Sequence, residues 1–292
     1  MTETVEFARA KINLFLEVLG KRGDGYHEIE SVMAAVDFGD DVVISLTESG
    51  ISVECDTLEC ERTGDIDALD EKENLAYKAA EAFFARLDER SISHGGVSVK
   101  IKKRIPVRSG LAGGSADAAA VLRGMNNLFG GVFDTEELCE AASKLGADVP
   151  FCVVGGVAVC RGTGDEMSAV ESGIALHGVI TVEKDEKLST AAAYSLVDDY
   201  NENKKKELMF SDDTVRALEL GDAERLSKSL FNVFEKACCY GSRAKEIMLE
   251  AGAENAVLSG AGPAFFMLTD DGALAQKTAD ALLDEGYPAY IF

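Results

Sequence analysis

Pro106-Val107-Arg108-Ser109-Gly110-Leu111-Ala112-Gly113-Gly114-Ser115-Ala116-Asp117 lies between two patterned segments. Upstream, Val97-Ser98-Val99-Lys100-Ile101 alternates apolar and polar residues, the period of a strand. Downstream, Ala118, Val121, Leu122, Met125, Leu128 and Phe129 recur at helical spacing, so a helix is expected to begin near Ser115. Glycines between strand and helix let the backbone come close to a ligand, and the helix N-terminus adds unpaired donors and partial positive charge. The combination suits a phosphate. A plain turn capped by Ser115 would use the same Gly113-Gly114 pair. Lys100, Lys102, Lys103 and Arg104, just ahead of the loop in an otherwise acidic chain, favour the phosphate. The loop has neither the Gly-Lys-Ser/Thr ending of a Walker A sequence nor the Gly-x-Gly-x-x-Gly dinucleotide fingerprint.

The chain's 292 residues suffice for a sizeable core and a division into two domains. Hydrophobic residues at 47% and only four prolines argue for a fully folded protein. A net charge of −23 argues against general binding to nucleic acid or an anionic membrane, but a local basic cluster can still hold an anionic substrate. Met1-Thr2-Glu3-Thr4-Val5-Glu6 opens acidic and enters a strand pattern, and no run of 18 apolar residues occurs, so a cytoplasmic protein is expected. The seven cysteines, Cys55 and Cys60 and adjacent Cys238-Cys239 among them, form no convincing zinc site with three histidines. Reduced structural thiols are the expectation.

Residues 5–18 read as a strand. Ala8, Ala10, Ile12, Leu14 and Leu16 share one face and Arg9, Lys11 and Asn13 the other, so Lys11 and Asn13 project together. The glycine-rich stretch from Gly20 to His27 follows, and taken alone it is an exposed hairpin loop. Val42–Leu46 and Ile51–Cys55 are expected to pair as strands, followed by an acidic loop and a helix with Asn74 at its N-cap. A helix over 135–144 stops at Gly146, and Asp148 then stands before Pro150 and what reads as an apolar strand. Asp148 is either a turn aspartate or a general base, since a carboxylate near a lysine can accept or orient the proton of an attacking alcohol. A return strand, Val157–Arg161, sets the domain boundary. Beyond it come a strand over 176–183, a Ser189-Thr190-capped helix and a solvated Lys204-Lys205-Lys206 run. Helices over 212–220, 222–236 and 241–251, a glycine turn at Ser259–Gly262 between short strands, a helix over 272–285 and a strand over 288–292 complete the chain.

The Pro106–Ala120 stretch resembles the nucleotide loop of the GHMP kinases. Three other segments match that family in the right order: Ala10–Leu16 with Gly20–His27, Gly146-Ala147-Asp148-Val149-Pro150-Phe151, and Ser259-Gly260-Ala261-Gly262-Pro263. The resemblance implies an α+β, two-domain GHMP kinase fold. Residues 1–160 would be a ribosomal-protein-S5-like domain carrying the nucleotide loop and catalytic residues, and 161–292 a ferredoxin-like domain. It implies ATP and Mg2+, with Ser115 and Asp117 as candidates to touch the metal, although Asp117 also simply suits a helix N-terminus. The opening segment is similar to that of the branch acting on a cytidine diphosphate-linked methylerythritol, which it phosphorylates on the 2-hydroxyl for isoprenoid synthesis.

By the same resemblance Lys11 and Asp148 are catalytic, and Asn74, Pro106, Gly110, Leu111, Ala112, Gly113, Gly114 and Ser115 bind the nucleotide. Asn13 lies at the reacting hydroxyl, and Tyr26 and His27 hold the cytidine end. The implied partner is a small-molecule substrate, with no nucleic acid and no membrane, and the enzyme a monomer or weak homodimer. Two alternatives remain: a homoserine- or mevalonate-type kinase of the family, and a non-catalytic binding protein, which would usually lack the lysine or the base. Where the family has proline- and glycine-containing residues ahead of the Ser-Thr helix, this chain has Glu183-Lys184-Asp185-Glu186-Lys187, which bears on the acceptor.

Overall fold

Residues 2–60, 71–184, 188–204, 208–238 and 242–292 are described by a computed structural model. Most of the acidic loop (61–70), residues 185–187, Lys205 and Lys206 of the lysine run, and Cys239 lie outside the described residues. In chain order the first elements are strands β1 (Glu3–Lys21), β2 (His27–Thr47) and β3 (Ile51–Asp56), helix α1 (Leu75–Glu89), strand β4 (Gly96–Lys102) and helix α2 (Gly113–Leu128). Helices α3 (Thr135–Ser143) and α4 (Val149–Val154) precede strands β5 (Val157–Arg161), β6 (Glu166–Ala169) and β7 (Gly178–Val182). Then come helices α5 (Thr190–Lys204), α6 (Asp212–Leu220) and α7 (Ala223–Ser229), strand β8 (Phe231–Asn232), and helices α8 (Val233–Ala237) and α9 (Arg243–Ala251). Strands β9 (Val257–Leu258) and β10 (Ala264–Leu268), helix α10 (Gly272–Asp284) and strand β11 (Ala289–Ile291) close the chain.

Two units emerge, each discontinuous in sequence: residues 1–10, 39–107 and 112–155 form one, and 11–38, 108–111 and 156–292 the other. In the first unit the strands run β3-β4-β2-β1. The expected pairing of Val42–Leu46 with Ile51–Cys55 does not occur, because β4 lies between them, antiparallel to β2 and parallel to β3. The reason is α1: it supplies the crossover that a parallel β3–β4 pair requires, whereas a tight hairpin would have forced antiparallel neighbours. Val97, Val99 and Ile101 of β4 are buried, as their alternation requires, and α1 turns Ala76, Ala79, Ala80, Phe83, Phe84 and Leu87 inward. Asp134 and Glu137 form a reciprocal capping box that starts α3.

Residues 149–154 form α4, where the sequence suggested a strand. A short apolar run carries no period that separates a strand from a buried helix turn. Pro150 decides it, since the first turn of a helix tolerates a missing N–H that a strand ladder would need.

In the second unit β5 pairs antiparallel with β2, β6 with β5, and β8 runs parallel to β1. A separate antiparallel sheet has the order β11-β7-β10-β9. Leu16, Val179, Phe234, Met248, Phe265 and Leu282 belong to its core. The single helix expected over 222–236 is broken. Phe231 and Asn232 extend to pair with Phe15 and Leu16, and Asn232 Oδ1 then accepts from the Phe234 N–H at 3.0 Å to start α8. Leu226, Leu230, Val233 and Phe234 keep a helical apolar pattern through the break, so tertiary pairing and not periodicity sets it. Among the described residues no helix is long and apolar enough to cross a membrane.

Candidate active site

The loop ahead of α2 carries its strain in a few residues. Arg108, Gly110 and Ala112 have φ of 53°, 90° and 58°, and only two of the three could be replaced by a better-suited glycine. Gly110 has no such alternative. A Cβ there would stand 2.2 Å from the Ser259 carbonyl oxygen, and the Gly110 carbonyl itself accepts from Ser259 Oγ at 3.1 Å. Helix α2 begins at Gly113, two residues earlier than expected, with Ala112 as a left-handed N-cap that makes no side-chain hydrogen bond. Ser115 therefore sits inside the first turn and is not the cap. The first-turn N–H groups get no acceptor from the cap side chain, and the exposed Gly114 has only Leu75 Cδ1 near its Cβ direction, at 3.6 Å. Small residues and outward donors are what a phosphate cradle needs.

The basic run before the loop does something other than expected. Lys103 is buried, and its Nζ lies 2.5 Å from Asp40 Oδ2 and 2.7 Å from Asp117 Oδ2. Asp40 Oδ1 also accepts from the Arg104 and Ile105 N–H groups at 2.5 and 2.8 Å. Arg104 pairs with Asp41 and Glu59, Lys102 with Glu59 and Lys100 with Glu54. Each cation of the run thus meets a carboxylate, and Lys103 acts on the loop as a strut between the end of β4, Asp40 of β2 and the first turns of α2. Burial opposes the Lys103 ammonium, but the two carboxylates outweigh it and hold it above the ordinary lysine range. Burial pushes the Asp117 carboxyl up to about 7; Lys103 pulls it back and the Asp40 charge adds to the rise. Asp117 Oδ1 is buried with no hydrogen-bond partner among the described residues.

In the second unit the structure brings together Lys11, Asn13, Gly110 and Leu111. The Lys11 N–H donates to the Leu111 carbonyl at 3.1 Å, and its buried Nζ donates to Asn13 Oδ1 at 2.8 Å. Asn13 Nδ2 donates to Ser31 Oγ at 2.8 Å, and that hydroxyl donates to the Phe15 carbonyl at 2.8 Å. Asn13 Oδ1 also accepts from the Gly260 N–H at 2.9 Å. Asn232 Nδ2 holds the glycine turn from below by donating to the Leu258 and Gly260 carbonyls at 2.7 and 2.8 Å. A strand lysine is thus aimed by an amide whose every polar atom is engaged. Neither Ser31 nor Asn232 was named as a site residue from the sequence, although Asn232 falls within Phe231–Glu235, a segment that also resembles the GHMP kinases.

Asp148 is half-buried at the N-cap position of α4, and its side chain makes no capping hydrogen bond, so the cap role does not account for it. Asn74 does cap: its Oδ1 accepts from the Ala76 N–H at 2.9 Å, and its Nδ2 donates to Cys55 Sγ at 3.6 Å. Pro106 is buried in the same unit as Asp148 and Asn74. Tyr26 is 67% exposed, and His27 beside it stacks on Tyr194 with ring centroids 4.5 Å apart. Of the atypical segment, Glu183 is buried and its Oε2 accepts from Ser242 Oγ and the Ala244 N–H at 2.7 and 3.3 Å. The Lys184 ammonium lies over the Tyr287 ring. These two residues hold α9 and the chain's end together.

Mg2+ fits this chain only in part. Asp117 is committed to Lys103, which leaves the half-buried Ser115 hydroxyl at the loop as the candidate ligand. Among the described residues no group of three or more His, Cys, Asp or Glu side chains could hold a metal. The small, exposed Gly114 and the uncapped first-turn donors are features that suit the phosphates of a nucleotide.

The family described as GHMP kinases N terminal domain matches residues 74–156, and GHMP kinases C terminal matches residues 214–289. A protein of Caldicellulosiruptor saccharolyticus named 4-diphosphocytidyl-2-C-methyl-D-erythritol kinase is 38% identical over 94% of this chain and 91% of its own. A relative of the same name from Desulfitobacterium hafniense is 37% identical over 98% of this chain and 93% of its own. A crystal structure of 4-(cytidine 5'-diphospho)-2C-methyl-D-erythritol kinase superposes with a TM-score of 0.77 at 28% identity, covering 99% of this chain and 98% of that one. The homoserine kinase of Cytophaga hutchinsonii shares the fold, with a TM-score of 0.70 at 20% identity over 100% of this chain and 94% of that one.

Proposed function

The chain belongs to the 4-diphosphocytidyl-2-C-methyl-D-erythritol kinases within the GHMP kinases, and on that footing we propose that it transfers the γ-phosphoryl group of ATP to the 2-hydroxyl of 4-diphosphocytidyl-2-C-methyl-D-erythritol. The observation that carries the reading is the identity of 38% over 94% of the chain to a relative bearing that name. The homoserine kinase likeness, at 20% identity, speaks for the fold alone.

The residues supply a route for the reaction. Phosphoryl transfer depends on positioning and on stabilising charge as it develops. The first-turn N–H groups of Gly113, Gly114 and Ser115 hold the phosphates of ATP. Asp148 accepts or orients the proton of the attacking hydroxyl. The Lys11 ammonium, held by Asn13, offsets negative charge on the transferring group. Asn74 and Pro106 border the nucleotide, and Gly110, Leu111 and Ala112 give the loop its shape. Tyr26 stacks on the cytosine, and His27 pairs with its edge. Mg2+ would come in with ATP and neutralise its phosphate charge, with Ser115 as the ligand this chain would supply. The enzyme would act in the cytoplasm on a small-molecule substrate, as a monomer or weak homodimer, in isoprenoid precursor synthesis.

The test is ADP release from Mg-ATP with the purified protein and each of 4-diphosphocytidyl-2-C-methyl-D-erythritol, homoserine, mevalonate and phosphomevalonate. Turnover with the first alone supports the reading. Turnover with another alcohol and none with the first overturns the acceptor, and ligand binding without ADP release from any of them points to the binding-protein alternative.

A further inference from the structure

His27 Nε2 lies 2.9 and 3.1 Å from the two carboxylate oxygens of Asp198, a residue 171 positions away on α5. An ionised carboxylate only accepts hydrogen bonds, so the Nε2 of His27 must be the nitrogen that carries a proton. In the neutral ring Nδ1 then holds the lone pair. Lys21 Nζ stands 3.8 Å from Asp198 Oδ2. The ring plane is fixed as well: Tyr194 stacks on His27, and Tyr194 in turn meets the buried Phe234 edge-on, with centroids 4.9 Å apart. His27 is thus held in one tautomer and one orientation, beside the exposed ring of Tyr26.

We propose that Asp198 is a positioning and specificity-determining residue, which makes His27 Nδ1 a hydrogen-bond acceptor and so selects a base with an exocyclic amino group over one with a carbonyl at that position. The inference rests on the assignment of Tyr26 and His27 to the cytidine end of the substrate. Cytosine offers an amino donor where uracil offers an oxygen, and two acceptors facing each other leave both unpaired. A site built to accept from a donor rejects the analogue that lacks it far more strongly than an apolar pocket rejects a methylene. Asp198 need not touch the substrate. It acts through the proton it fixes on the imidazole, as the outer partner of a metal-bound histidine fixes its tautomer.

The test compares binding of CDP and UDP to the full chain carrying Asp198→Ala or Asp198→Asn, with 15N-histidine NMR as the report on the tautomer. The expected result is a CDP preference of tenfold or more in the wild type, on the order of one lost polar pairing. Asp198→Ala should cut that preference to within about threefold of unity and mix the His27 tautomers, while ATP-analogue binding attests to an intact fold. Asp198→Asn, whose amide oxygen can still accept from Nε2–H, should retain part of both. A wild type without CDP preference overturns the cytidine assignment and this inference with it. A wild type that prefers CDP, with Asp198→Ala and Asp198→Asn that are folded and prefer it equally, overturns this inference alone.

Discussion

Asn13 Oδ1 accepts a hydrogen bond from the Gly260 N–H at 2.9 Å and another from Lys11 Nζ at 2.8 Å. One amide oxygen therefore couples the strand that carries the lysine to the glycine turn beside the nucleotide loop. Gly260 has φ +56°, and a Cβ there would lie 3.2 Å from the Gly110 carbonyl oxygen and 3.6 Å from Lys11 Nζ. The close approach explains why a glycine occupies the position.

Asn13→Ala should lower kcat about a hundredfold, because a displacement of Lys11 of the order of an ångström is enough to do so. It should also cost about 2 kcal/mol of stability, since Ser31, Lys11 and Gly260 each lose a buried partner. Steady-state kinetics and urea unfolding on the same protein give both numbers. An unchanged kcat would mean that Lys11 keeps its working position without Asn13.

The loop glycines should separate by mechanism. Gly110→Ala drives a methyl into the Ser259 carbonyl at a φ of +90°, so it should destabilise the fold by roughly 2 kcal/mol or more and weaken ATP binding with it. Gly114→Ala meets only ordinary contact with Leu75 and lies in a helix, so it should leave the fold as stable or up to ~1 kcal/mol more stable. On the proposed phosphate-binding role of this turn, it should still weaken ATP binding, because the methyl crowds the cradle. Thermal unfolding and fluorescent-nucleotide titration check the pair. Undiminished ATP affinity in Gly114→Ala would remove the loop from the phosphate site.

The Lys103 strut makes a prediction of its own. Lys103→Met leaves Asp40 and Asp117 facing each other in a buried place, and should cost about 3–5 kcal/mol, read by urea unfolding. Asp117→Asn removes the titrating group and retains the Lys103–Asp40 pair. The folded value for Asp117, about 7, lies above the ordinary 3.8. Its contribution to stability is therefore full below about pH 4 and is lost as pH rises through about 7. Relative to the wild type, Asp117→Asn should gain stability across that window by up to about 1.4 kcal/mol per pH unit, then level off. Parallel stability–pH curves for the two proteins would contradict it.

Much of the site was legible because its motifs are local. The β4 alternation, the Asn74 cap of α1 and the shared face of Lys11 and Asn13 all follow from residue spacing, and the structure bears each out. What the sequence concealed was long-range pairing. Lys103 looked like part of an anion-attracting run, because nothing near it in sequence reveals that Asp40, 63 residues upstream, would claim it. Asp198 lies 171 residues from His27 on an acidic helix, where one of two adjacent aspartates carries no mark. The break between α7 and α8 arises where a partner strand overrules a local pattern, and the insertion of β4 between β2 and β3 depends on the crossover through α1, so both were set by parts of the chain remote in sequence.

Phosphorylation of the 2-hydroxyl, with Asp148 accepting or orienting its proton, is tested most directly by 31P NMR of the product. With wild-type protein, Mg-ATP and 4-diphosphocytidyl-2-C-methyl-D-erythritol, the expected result is a new phosphomonoester on the 2-hydroxyl that disappears, by 10²-fold or more in rate, with Asp148→Asn. A phosphate on another hydroxyl, or an equally fast reaction with a folded Asp148→Asn protein, would contradict the account.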